Sequence, residues 1–124
     1  MTNPVPGLNI PIKGPFDQAE VSLSTFTGPL VVSIPNDAEL FLRGTVYAIL
    51  GLDSEKPAWE GAKIKAGEWQ KNTEQYQRLS NLKVEVPKQD LLQFKNQTTQ
   101  LRYQTIGESS IRVISEPISL TITT

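Results

Sequence analysis

Short runs of alternating apolar and polar residues, each cut off by proline, glycine or asparagine, constrain this chain more than any other feature of its sequence. Successive side chains of a strand point to opposite faces, whereas a helical face recurs every three to four residues, so period-two runs of this length select strands. Leu82, Val84 and Val86 alternate with Lys83 and Glu85 and stop at Pro87. Leu101 and Tyr103 alternate with Arg102 and Gln104, Gly107-Glu108-Ser109 turns the chain, and Ile111 and Val113 restart the pattern. After the bend Ser115-Glu116-Pro117, residues Ile118, Leu120 and Ile122 alternate with Ser119 and Thr121. Upstream, Val21 and Leu23 alternate with Ser22 and Ser24, Gly28-Pro29 breaks the run, and Leu30, Val31, Val32 and Ile34 lead to Pro35-Asn36-Asp37. Short strands spaced by turn signals, with no long amphipathic helix, predict an all-β antiparallel sandwich of about seven to nine strands.

The strongest alternation spans Glu39 to Leu50, with Leu40, Leu42, Val46, Ala48 and Leu50 on one parity and Phe41, Tyr47 and Ile49 on the other. This reads as one strand, or two strands bent at Arg43-Gly44. Both faces are bulky, so Phe41, Tyr47 and Ile49 need cover. The 53–77 segment, with its own Trp59, Ile64 and Trp69, is expected to supply it and leave a monomer. Within that segment, Glu68 to Leu79 makes no apolar stripe of helical period, which favours two short strands and a turn. Asp90-Leu91-Leu92 reads as one helical turn and Asn96 to Thr99 as a loop. Residues 1–18, with Pro4, Pro6, Pro11 and Pro15, read as a proline-rich extended lead-in to a domain at 19–124. The predicted core is Leu42, Val46, Ala48, Leu50, Val84, Val86, Leu101, Tyr103, Leu120 and Ile122.

Composition then narrows the chemistry. A length of 124 residues suits one domain. Twelve Lys and Arg against thirteen Asp and Glu give a net charge of −1, which argues against a nucleic-acid partner. Residues 53–95 hold seven acidic and eight basic side chains, a mixed solvated surface rather than a patch of one sign. The absence of cysteine and histidine removes disulfides, thiol nucleophiles, Ser-His-Asp triads and metal sites built on those residues, and no cofactor is expected. The longest strongly apolar run, Gly44 to Leu52, is too short to span a bilayer, so no membrane insertion is expected. The first seven residues carry no signal-peptide pattern.

Paired carboxylates suffice for glycoside hydrolysis, and Asp37 with Glu39, Asp53 with Glu55, and Glu60 with Glu68 are the available pairs. The first two pairs also carry the oxygen chemistry of calcium, but no Asp-x-Asp-x-Asp-Gly loop is present. All sit in polar, turn-like contexts where carboxylates are solvated, so no catalytic role is expected. Trp59, Trp69 and Tyr76 are the candidate ligand or partner contacts. An indole or phenol in a polar stretch either completes a core or stacks on a sugar ring or protein partner. Lys63, Lys65 and Lys71 lie near them, offset by Glu60 and Glu68.

One family likeness rests on specific residues. Leu82-Lys83-Val84-Glu85-Val86-Pro87, Asp90-Leu91, Leu101-Arg102-Tyr103 and Ser115-Glu116-Pro117-Ile118-Ser119-Leu120-Thr121-Ile122 resemble the closing half of bacterial immunoglobulin-like repeat domains. Gly44-Thr45-Val46-Tyr47-Ala48-Ile49-Leu50-Gly51 is similar to that family's early central strand. The resemblance implies an immunoglobulin-like β-sandwich acting as a non-catalytic structural or binding module, of spacer or adhesion type, in a bacterial secreted or cell-surface protein. Its partners would be neighbouring domains, a host or cell-surface protein, or a glycan. The alternative is a carbohydrate-binding module that uses the aromatics of the 53–77 segment.

Overall fold

The alternating runs 83–86, 101–103 and 118–122 are strand, as period two predicts. The computed structural model describes residues 3–14, 17–27, 29–53, 55–107 and 111–123. In chain order its strands are β1 (Gly7–Leu8), β2 (Gln18–Ser22), β3 (Leu30–Ser33), β4 (Thr45–Leu50), β5 (Trp59–Glu60), β6 (Ile64–Lys65), β7 (Gly67–Gln70), β8 (Gln75–Arg78), β9 (Lys83–Val86), β10 (Gln97–Ile106), β11 (Arg112–Ile114) and β12 (Ile118–Thr123). A helical turn, α1 (Lys88–Leu91), runs into a 3-10 turn over Leu92–Phe94. Gly28, Glu108, Ser109 and Pro15, all assigned to breaks or the lead-in above, lie outside the described residues.

The all-β reading holds. One sheet has the order β1-β3-β9 and the other β2-β12-β10-β4-β5, with β11 on β10 and β6 on β4. Among the described residues the strands pair antiparallel except that β2 runs parallel to β12, Val21 opposite Ile122, and an isolated bridge from Asn3 to Ser115 is also parallel. Strands β7 and β8 form a separate hairpin. Among the described residues four of the twelve strands fall between residues 59 and 78, which raises the number above the seven to nine expected.

Both sheets feed one apolar cluster. Leu30, Val32, Val84 and Val86 enter it from the first sheet, and Val46, Ala48, Leu50, Leu101, Tyr103, Leu120 and Ile122 from the second. The turn after Pro87 adds Leu91 and Phe94. Pro87 has no N–H to extend β9, so the chain leaves the ladder there and folds Leu91 back over the core. Tyr103 is fully buried, and its hydroxyl donates to the Pro4 carbonyl at 2.6 Å. Burial pushes that phenol well above its ordinary pKa, with the Asp37 carboxylate adding to the shift and the Arg78 guanidinium opposing it. It therefore stays a donor and ties the proline-rich segment to the core. Asn3 adds two more ties, accepting from the Glu39 N–H and donating to the Glu39 carbonyl, each at 2.9 Å.

Two sequence expectations need correction. Leu42 is 40% exposed rather than in the core, while the other nine predicted core residues are buried. The cause is that the 39–50 run is strand only from Thr45. Residues 42–44 turn, with the Gly44 N–H donating to the Phe41 carbonyl at 2.8 Å, and Gly44 lies against the Ile106 carbonyl. Residues 97–99 are strand rather than loop, paired with Ile122, Thr121 and Leu120. β-Branched threonines favour the extended chain, and Thr98 and Thr121 join their hydroxyls across the ladder at 3.0 Å. On the outward face of β4, Tyr47 and Ile49 are buried within the single chain. Lys63 of the 53–77 segment lies 5.1 Å from the Tyr47 ring centre, and the Tyr47 hydroxyl accepts from the Gln104 side-chain amide.

Candidate functional site

The Trp69 and Tyr76 side chains meet because the hairpin register makes them a cross-strand pair. Gly67 to Gln70 and Gln75 to Arg78 pair around the turn 71–74, in which Glu74 takes a positive φ of 53°. The rings pack edge to face, with centroids 5.4 Å apart and planes at 67°. Trp69 stays 46% exposed. A two-stranded hairpin is marginal alone, so its base must be anchored. Leu79 N–H donates to the Ala66 carbonyl and Ala66 N–H to the Gly44 carbonyl. Arg78 donates to the Leu79 and Pro35 carbonyls at 2.6 and 3.0 Å. Gly67 lies so close to the Leu42 carbonyl that a Cβ there would come within 2.4 Å.

Anchoring the hairpin beside the 42–44 turn makes an open cleft of about 410 Å³. Arg43, Lys65, Glu68, Leu42, Trp69 and Tyr76 line it. The Arg43 guanidinium lies 4.9 Å from the Tyr76 ring centre, where the negative π face attracts it. The cleft thus offers an exposed indole, a stacked guanidinium and an exposed leucine on one surface, with one acid and one further cation at its edge.

Of the three aromatics singled out from sequence, the fold joins Trp69 and Tyr76 and sends Trp59 elsewhere. Trp59 is half-buried on β5 opposite Leu50, packed against the core with Gly61 beside its ring. It lines a second groove, of about 490 Å³, with Ile64, Val84, Lys83 and Glu85. The three lysines also separate: Lys63 covers Tyr47, Lys65 lines the first cleft, and Lys71 lies in the hairpin turn. Sequence reasoning missed Arg43 and Leu42. Their one signal was the Arg43-Gly44 bend, which releases Leu42 from the strand parity and turns it toward the hairpin.

Of the carboxylate pairs, Asp53 and Glu55 meet in a local turn, where Asp53 accepts from the Glu55 backbone N–H at 3.0 Å. Among the described residues no group of three or more carboxylates is placed to hold a metal ion, and no helix is long and apolar enough to cross a membrane. No family model, no curated protein and no solved structure matches the chain.

Proposed function

We propose that this chain is a non-catalytic immunoglobulin-like module of a bacterial secreted or cell-surface protein, and that it contacts a protein partner through the Trp69–Tyr76 hairpin. Support for the fold reading comes from strand order. β1, β3 and β9 on one side, with β4, β10 and β12 on the other, is the division of strands that an immunoglobulin sandwich makes, and the parallel β2–β12 pair joins the first and last parts of the chain.

One observation carries the functional reading: Trp69 is nearly half exposed although Tyr76 and the cleft wall hold it in place. Tryptophan, tyrosine and arginine dominate binding energy at protein interfaces, because each offers a large rigid surface with a polar handle. Here all three are neighbours, and Leu42 adds apolar area. Pre-positioning by the edge-to-face pair and the guanidinium lowers the ordering cost of binding.

A photo-cross-linking residue at Gln75, beside Tyr76, should give a protein adduct on cells that produce the chain, whereas one at Glu20 on β2 should not. Trp69→Ala should abolish the adduct, since removing an interface tryptophan costs about 2 kcal/mol, roughly thirtyfold in affinity. The polar rim of Arg43, Lys65 and Glu68 around an open ring also suits a sugar, the second reading. A glycan-array signal lost in Trp69→Ala, with no protein adduct from Gln75, would establish that reading instead.

A further inference from the structure

We infer that β9 is a self-complementary edge through which two copies of this chain pair in antiparallel fashion about Val84. Strand β9 pairs only with β3 among the described residues, so its other side is open. The backbone phase of that side follows from two observations. The Ile34 N–H donates to the Leu82 carbonyl at 2.9 Å, and the β3–β9 register then alternates, making Val84 and Val86 the bonded partners of Val32 and Leu30. Val31, opposite Glu85, has its carbonyl and N–H engaged with Asn9 on the β1 side. The N–H and C=O of Lys83 and Glu85 therefore face away from β3, toward the open edge.

Two such edges fit each other in one register. With Val84 opposite its symmetry mate, Lys83 meets Glu85 of the second copy and Glu85 meets its Lys83. These are the positions whose backbone groups point outward, so each pair exchanges two hydrogen bonds. The same register sets opposite charges against each other twice, because both side chains are exposed and share one face. Asn81, at φ 55°, and Pro87, without an N–H, bound the ladder on either side. The groove beside this edge contains Trp59 and Ile64, both half-buried, which gives the pair apolar surface to cover. A short edge that carries a free ladder and an alternating charge pattern is a template for its own copy.

Sedimentation analysis of the chain from micromolar concentration to about 1 mM tests this. A reversible monomer–dimer equilibrium is expected. Glu85→Lys, which sets lysine against lysine, should weaken it about tenfold or more, and the double variant Lys83→Glu/Glu85→Lys, which restores opposite pairs, should recover it. Both positions are exposed, so circular dichroism should show each variant folded. Trp69→Ala should leave the equilibrium unchanged, which separates this edge from the hairpin contact. A chain that stays monomeric throughout, or a dimer indifferent to both charge variants, would overturn the inference.

Discussion

Leu101→Asp is expected to leave the chain unfolded in dilute buffer at room temperature. Leu101 is fully buried at the centre of the larger sheet, where β10 is flanked by Leu50 of β4 and Ile118 of β12. The substitution removes a core leucine, which alone costs about 2–5 kcal/mol, and leaves a carboxylate among apolar side chains with no partner. That second cost is several kcal/mol, so the sum is comparable with the whole stability of an ordinary domain, about 5–15 kcal/mol. Ile111→Asp is the control, because Ile111 is 57% exposed and the same charge there remains in water. Far-UV circular dichroism and amide dispersion should show a disordered Leu101→Asp and an unchanged Ile111→Asp. A folded, soluble Leu101→Asp would mean that the two sheets do not meet there.

Gly44→Ala should lower stability by about 3 kcal/mol. A Cβ at Gly44 would lie 2.1 Å from the Ile106 carbonyl oxygen and 2.9 Å from its carbon. That backbone has little freedom to yield, since Ile106 is paired with Thr45 on one side and Arg112 on the other. Either the 42–44 turn or the start of β4 must move, and the hairpin held by the Gly44 carbonyl moves with it. Gly14→Ala offers the comparison, because a Cβ there meets nothing within 4 Å. Chemical denaturation should show a large shift in midpoint for Gly44→Ala and a negligible one for Gly14→Ala. Equal, small shifts would contradict the close approach of the 42–44 turn to β10.

Much of this was legible in the sequence because burial on one sheet face imposes period two. Residues 82–86, 101–103 and 118–122 keep that period without interruption and became β9, part of β10 and β12. Where a local signal competed with the long-range one, the reading failed. Residues 97–99 carry polar side chains typical of a loop, yet β12 supplies a ladder partner for each of them. Leu42 kept strand parity, but residues 42–44 turn and the strand begins only at Thr45. Gln104 looked like an outward polar residue and is buried with Tyr47, a pairing set by the β4–β10 register and invisible to periodicity. The site divides in the same way. Trp69 and Tyr76 stood out because aromatics are conspicuous in a charged stretch, whereas Arg43 joined them only through the anchoring of the hairpin.

Trp59 packs against the core, whereas Trp69 is proposed to be held at the surface for contact. Paired chemical denaturation of Trp59→Ala and Trp69→Ala tests it without any partner in hand. Trp59 packs against the core, so its truncation should cost about 3 kcal/mol or more. Trp69 loses the edge-to-face contact with Tyr76 and little else, so its truncation should cost about 1 kcal/mol or less. A Trp69→Ala variant as destabilised as Trp59→Ala would make Trp69 a structural residue and overturn the proposed contact role.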